Sequence, residues 1–160
     1  MKNYELNDTE KNINRLDSIR NANAKNSKKE GELYHTGRME DYLEVIYELV
    51  RQKGYATTID ISEYLNVRSP SVTKMVKRLN GQGYLNYEKY RGISLTQQGT
   101  TVAKATCERH DLLTDFLKMI GVEEAVANKD AEGIEHHLDS ETLKKLEDFV
   151  RVLKKNPKPA

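Results

Sequence analysis

Acidic and imidazole side chains occur in this chain at spacings that suit a metal ion. Glu132, Glu135 and His136 stand at i, i+3 and i+4, so a helix through them would place all three on one face. A second acidic pair at i, i+3 lies far upstream, with a further histidine between the two groups: Asp41, Glu44 and His110. Converging carboxylates repel each other and desolvate poorly unless a cation joins them. Oxygen and nitrogen donors without sulfur favour a hard or borderline divalent ion, and Mn(II) over Zn(II) or Cu(I).

Each of these groups, taken alone, would more often be a solvated helix face. Asp41 and Glu44 lie among apolar neighbours at the start of a helix that must pack, and Glu135 and His136 directly follow Ile134. These acids are therefore not all expected to face water, and a divalent cation would neutralise them.

Four other possible ligands are given less direct roles. Cys107 has no second sulfur near it, so a buried, inert thiol is expected. His137 would point away from its neighbour His136 on a helix, which favours a surface position or support of a ligand. His35 is expected to be solvated. Glu48 either supports the upstream acidic pair or is a plain exposed acid.

The net charge of +1 combines two oppositely charged segments. Residues 66–94 carry six basic side chains against one acid, and residues 107–139 carry nine acids against three basic side chains. The basic segment favours phosphate binding. The acidic segment, with its histidines, favours a metal.

Two further features of the sequence indicate the cellular compartment of the protein. No apolar run approaches the length of a membrane span, and residues 1–14 lack the apolar core of a signal peptide. The single cysteine excludes an internal disulfide and fits a reducing cytoplasm. We therefore expect a cytoplasmic protein without a membrane partner.

The pattern from Met39 to residue 95, which includes the basic segment, predicts a winged helix-turn-helix. Apolar periodicity predicts a helix from Met39 to near Gly54, a second over residues 58–65, and a third with Ser69 as N-cap and Pro70 at its first position. Two short alternating runs, residues 84–88 and 92–95, predict a β-hairpin. In such a module the third helix enters the DNA major groove and the hairpin touches the adjacent backbone.

The expected DNA-binding residues share hydroxyl or basic character and lie on the turn, the third helix or the hairpin tip. A solvated basic helix with ordinary capping is the competing interpretation, but the ordered combination of elements favours DNA. The residues are Arg68, Ser69, Ser71, Thr73, Lys74, Lys77, Arg78, Lys89 and Arg91.

The remainder is predicted to be helical, with a long helix capped by Thr96 and reaching about Ile120, and further helices at about 123–138 and 141–153. The predicted fold is mainly α. Its expected parts are a flexible N-terminal extension (1–38), a winged helix-turn-helix DNA-binding domain (39–96), a helical metal-binding and dimerisation domain (97–155) and a frayed tail (156–160).

Five segments resemble the manganese transport regulators, which belong to the diphtheria toxin repressor family of metal-dependent transcription factors. The likeness covers about residues 39–153, and its motifs agree in order and spacing. The segments are Met39–Tyr47, Ser71–Val76, Tyr87–Gly92, Arg109-His110 and Glu132–His137.

The resemblance implies a homodimer that uses two Mn(II) ions per subunit to control binding to a palindromic operator, as a repressor of manganese-uptake genes. One implied site uses Asp41, Glu44, His110 and Glu135. The other uses Glu44, Glu132, Glu135 and His136, so that Glu44 and Glu135 bridge. Iron-responding relatives carry Met and Cys in place of Asp41 and Glu132, which favours Mn(II) over Fe(II) here.

Three alternatives remain open. The chain could be an Fe(II)-responsive member of the same family, or a metal-free winged-helix regulator with a small-molecule pocket. It could also be a di-metal carboxylate oxidase, but such enzymes use a Glu-x-x-His pair from each of two helices, and only one segment here approaches that pattern. We therefore expect a regulator and not an enzyme.

Overall fold

A computed structural model describes residues 32–88 and 91–155 of the chain. Within them the fold is mainly helical, with one small antiparallel sheet, which confirms the predicted fold class. The elements in chain order are α1 (Glu32–Lys53), α2 (Thr58–Leu65), α3 (Ser69–Gly81), β1 (Leu85–Glu88), β2 (Gly92–Leu95), α4 (Gln97–Met119), α5 (Glu124–Ile134) and α6 (Ser140–Lys155).

The chain divides into two compact units within α4. The first unit ends at Thr106 and the second begins at Cys107. The domain boundary expected after residue 96 coincides with the start of α4, and that domain division stays a prediction. No described helix is both long enough and apolar enough to cross a membrane.

Helix α1 begins at Glu32, upstream of the predicted start at Met39. Residues 32–38 contain no proline, so nothing in the backbone chemistry prevents the helix from extending in that direction. Expectations for residues 1–31, Lys89 and residues 156–160 fall outside the described residues, as does the expectation for the His35 side chain.

Helix α2 has the predicted bounds because its ends are specified locally. Thr57 accepts a hydrogen bond from the Asp60 backbone N–H, and the Asp60 carboxylate accepts one from the Thr57 N–H, which together form a capping box. At the other end Asn66 adopts the left-handed conformation, with φ of 51°, that ends many helices.

Helix α3 begins at Ser69, but Ser69 is not its N-cap as predicted. Arg68 occupies that position with an extended backbone, and no side chain caps the helix. Pro70 still lies in the first turn, where its missing N–H costs no hydrogen bond. The prediction was one residue late because the extended Arg68, rather than the hydroxyl of Ser69, is the last non-helical residue.

The two strands pair with Leu85 opposite Leu95, and Ala56 adds an isolated bridge to Ile93 that alternation alone did not predict. Thr96 then caps α4 as predicted, accepting a hydrogen bond from the Gly99 N–H at 3.1 Å. Gly99 is required there, since a Cβ would clash with the Tyr84 carbonyl oxygen.

An aliphatic core holds the first unit together. Side chains from α1, α2, α3 and the hairpin are almost wholly buried in one cluster, including Leu43, Ile46, Ile61, Val76 and Ile93. Helix α3 contributes its apolar face to this cluster and leaves its opposite face exposed. The core therefore fixes the orientation of α3.

The second unit contains the rest of α4 together with α5 and α6. Phe116 and Phe149 meet edge to face with centroids 6.3 Å apart, and Lys154 bonds Asp115 at 2.6 Å. Helix α5 ends at Ile134 rather than near residue 138, which corrects the prediction. Gly133 weakens the helix, and the chain then turns towards Asp139, whose carboxylate accepts from the Glu141 N–H at the start of α6.

Candidate metal centre and nucleic-acid interface

Three predicted ligands meet inside the second unit. His110 comes from α4, Glu132 from the last turn of α5, and Glu135 from the residue that follows α5. His110 Nδ1 lies 3.1 Å from Glu135 Oε2 and 3.5 Å from Glu132 Oε2. One ligand atom from each residue lies within 4.8 Å of the other two, which is compatible with a single ion.

The three side chains are buried to an unusual degree for charged groups. His110 is 1% exposed, Glu132 5% and Glu135 2%. Two carboxylates in so dry a place repel each other, and a divalent cation between them would relieve that repulsion. Oxygen and nitrogen donors of this kind fit a divalent cation of the Mn(II) class.

His136 extends this cluster, but not in the predicted way. Because α5 ends at Ile134, His136 lies in the following turn, and the i, i+3, i+4 helix face assumed from the sequence does not form. Its Nε2 lies 3.4 Å from Glu135 Oε1, so the turn still brings the imidazole to the acids. His137 is exposed, as expected for a surface residue.

Asn128 contacts the cluster and was not predicted from the sequence. Its Oδ1 lies 3.2 Å from His110 Nε2, and its Nδ2 donates to the Glu124 carbonyl oxygen at 2.8 Å. The only signal in the sequence is spacing, since Asn128 precedes Glu132 by one helical turn.

The other two predicted ligands, Asp41 and Glu44, lie on α1 in the first unit. Both are buried, and Glu48, one turn further on, is fully buried as well and lies 3.5 Å from Arg51. The interpretation of Glu48 as an exposed acid is therefore wrong. Participation of Asp41 and Glu44 in metal binding stays a prediction.

The predicted DNA-binding side chains lie mainly on the exposed side of α3. Lys74, Lys77 and Arg78 are exposed, as are Arg68, Ser69 and Ser71, whereas Thr73 is half-buried and its hydroxyl donates to the Ser69 carbonyl oxygen. On the hairpin, Arg91 is exposed and pairs with Glu88 at 3.2 Å. The α3 surface is thus strongly basic, while the hairpin cation is partly neutralised.

A basic groove adjoins this surface, formed between α1 and α3 in the first unit. Its volume is about 400 Å³, and four cations line it: Arg38, Arg68, Lys74 and Arg78. Tyr42 also lines it, and burial raises the pKa of this phenol to about 12, against the opposing effect of Arg38 and with a smaller contribution from Asp41. Arg38 had no predicted role, because it precedes the segment read as the DNA-binding domain.

Two family models match the chain over nearly all of its described length. The model of the iron-dependent repressor N-terminal DNA-binding domain matches residues 35–93. The model of the iron-dependent repressor metal-binding and dimerisation domain matches residues 96–159.

Curated and solved relatives agree with these matches. The HTH-type transcriptional regulator MntR of Lysinibacillus sphaericus (strain C3-41) is 50% identical over 122 residues, which cover 76% of this chain and 88% of the relative. The manganese regulator SloR shares 29% identity with a TM-score of 0.63, over 71% of this chain and 53% of that one. IdeR of T. acidophilum shares 31% identity with a TM-score of 0.63, over 76% of this chain and 55% of that one. The chain thus spans about half the length of these solved proteins.

Proposed function

This chain belongs to the iron-dependent repressor family, and we propose that it is a transcriptional regulator whose DNA binding is activated by Mn(II). The buried cluster of His110, Glu132 and Glu135 carries this proposal. Two carboxylates and an imidazole within 4.8 Å of one another, almost without exposure, are a ligand set for a divalent ion.

Mn(II) is the ion that we propose, for two reasons. No sulfur ligand is present in the cluster, and carboxylate with imidazole suits Mn(II). A similar solved protein, SloR, is described as a manganese regulator. The Fe(II)-responsive alternative is not favoured by the curated relatives, which carry the name MntR.

We further propose two ions per subunit, each held by ligands from several segments. His110 and Glu135, with Asp41 and Glu44, form the first ligand set; Glu44, Glu132, Glu135 and His136 form the second. A bound cation would supply the positive charge that the buried carboxylates need. Ligands drawn from α1, α4, α5 and the turn after α5 would then couple metal binding to the conformation of the whole subunit.

The DNA surface that we propose is the exposed face of α3 with the adjoining basic groove. Lys77 and Arg78 would contact backbone phosphates, and the helix start would approach base edges in the major groove. The four cations around the groove extend this positive surface towards α1.

A homodimer would place two such helices on a palindromic operator, with recognition helices about 34–36 Å apart. The second unit offers apolar surface for this association, because Ile120, Phe149 and Val152 are each about half exposed or more. Large exposed apolar side chains of this kind mark association surfaces.

The test is operator binding measured by fluorescence anisotropy against a series of divalent metals, with and without chelator. A genomic selection with the Mn(II)-loaded protein would supply the operator. We expect tight binding with Mn(II) and loss of binding with chelator. His110→Ala should remain a folded dimer that no longer responds to Mn(II), whereas His137→Ala, which removes an exposed imidazole, should respond normally. DNA binding indifferent to chelator would contradict the proposal and indicate a metal-free regulator.

The DNA surface has its own test, which uses the salt dependence of operator binding. Lys77→Ala and Arg78→Ala should each weaken binding and lower the slope of log K against log salt by about one phosphate contact, while Mn(II) binding persists. Lys104→Ala removes an exposed cation elsewhere on the first unit and should leave the slope unchanged. An unchanged slope in both α3 variants would mean that α3 is not the contact surface.

A further inference from the structure

Both ends of the Asn128 side-chain amide have a hydrogen-bond partner. Its Nδ2 donates to the Glu124 carbonyl oxygen at 2.8 Å, and its Oδ1 lies 3.2 Å from His110 Nε2. The residue is 8% exposed and lies one turn before Glu132 on α5. A buried amide with two directed bonds has a defined orientation.

The bond to Glu124 decides which end of the amide faces the histidine. A flipped amide would set its oxygen against the Glu124 carbonyl oxygen, two acceptors with no proton between them. The oxygen of Asn128 therefore faces His110. Because an amide oxygen only accepts, His110 Nε2 must carry the hydrogen.

The second imidazole nitrogen is then constrained. A neutral imidazole has one N–H, so with the hydrogen on Nε2 the Nδ1 atom presents a lone pair. That Nδ1 is the atom 3.1 Å from Glu135 Oε2 and 3.5 Å from Glu132 Oε2. A lone pair beside two carboxylates is repulsive by itself and is the arrangement that a cation requires.

We propose that Asn128 is a positioning residue for the metal centre. By accepting from Nε2 it fixes the tautomer and the ring orientation of His110, and so directs the Nδ1 lone pair to the ion shared with Glu132 and Glu135. This inference depends on the proposed metal-binding function. Outer partners of ligating histidines commonly contribute 10–100-fold to metal affinity.

Mn(II) affinity measured by equilibrium dialysis tests the role directly. Asn128→Leu removes the acceptor at similar volume and should weaken binding about 10–100-fold. Asn128→Asp keeps an acceptor towards Nε2 and should retain most of the affinity, although it loses the bond to Glu124. Lys129→Ala, an exposed neighbour on the same helix, serves as control. Equal losses in the Leu and Asp variants would show that Asn128 is needed only for packing.

The imidazole itself provides a readout that packing alone would not change. In metal-free protein, at a pH where the imidazole is neutral, ¹⁵N NMR of His110 should show hydrogen on Nε2 in the wild type and in Asn128→Asp. Asn128→Leu should show mixed tautomers. The same single tautomer in Asn128→Leu would overturn the inference.

The two proposals fail differently. If the wild-type chain takes up no Mn(II) at micromolar concentrations, the metal-binding function fails. If the wild type binds Mn(II) and Asn128→Leu binds it equally well, the metal function stands and only the role of Asn128 is wrong.

Discussion

Two groups of carboxylates in this molecule have opposite surroundings. At the start of α2, Asp60 lies 2.6 Å from Lys53 Nζ and accepts from the backbone and hydroxyl of Thr57. In the second unit, Glu132 and Glu135 converge on the imidazole of His110, and the Nε2 of His136 lies 3.4 Å from Glu135. The first group is paired with the ammonium of a lysine, whereas the second group faces imidazoles, which are charged only when protonated.

The difference separates a structural acid from the acids that we propose bind the metal. Asp60 is partly exposed, and its partners Thr57 and Lys53 lie three and seven residues before it, so the network is local in the chain. Glu132 and Glu135 are almost wholly buried, and their contact to His110 joins residues 25 positions apart. Buried carboxylates that converge from distant parts of the chain are where an external cation can stabilise a fold.

The largest expected effect concerns Glu135. With Mn(II) at about a hundredfold excess over its Kd, linkage predicts that the wild-type free energy of unfolding rises by about 2.7 kcal/mol. Glu135→Gln removes a charged ligand and should lose most of that rise. Urea denaturation of both proteins, with Mn(II) and with chelator, measures it.

Asp130→Asn is the matched control for this experiment, because Asp130 is an exposed acid on the same helix as Glu132. It should keep the full Mn(II)-dependent rise. A rise of equal size in Glu135→Gln would remove Glu135 from the ligand set and weaken the contrast between the two groups.

Elements specified by neighbouring residues could be predicted from the sequence. The bounds of α2 follow from the Thr57–Asp60 capping box and from Asn66, and the start of α4 follows from Thr96. These signals act within a few residues, so a pattern along the chain contains them.

Helix ends without a clear capping signal and contacts between distant residues were predicted less well. The end of α5 was placed too late because acids and histidines at helical spacing suggested a continuous helix, whereas the chain turns after Ile134. The same spacing singled out Glu135 and His136, whose side chains lie 3.4 Å apart in that turn, and their role as ligands stays a prediction. The role that we propose for Asn128 depends on a contact 18 residues away in sequence, which no local pattern shows.

A smaller effect is expected at the α2 cap. Thr57→Ala removes the hydroxyl that accepts from the Asp60 N–H and should lower the free energy of unfolding by about 1 kcal/mol. Because this network contains its own positive charge, the loss should be the same with Mn(II) and with chelator. A loss that depends on Mn(II) would contradict the assignment of the cap as independent of the metal.

The smallest effect is the pH dependence that Asp60 contributes. Partial burial favours the neutral acid, but the hydrogen bonds from Lys53 and Thr57 prevail and lower the pKa of Asp60 below its usual 3.8. A carboxyl whose pKa is lower in the folded state stabilises the fold above its unfolded value, and this contribution disappears as the pH falls through the folded value. Urea denaturation in chelator should show Asp60→Asn to be less stable than the wild type at pH 7. The difference should shrink as the pH falls below the usual pKa of 3.8. A difference that stays constant over that range would mean that Asp60 stabilises the fold through its hydrogen bonds alone. The ion pair with Lys53 would then contribute nothing, and the contrast with the buried cluster could not rest on it.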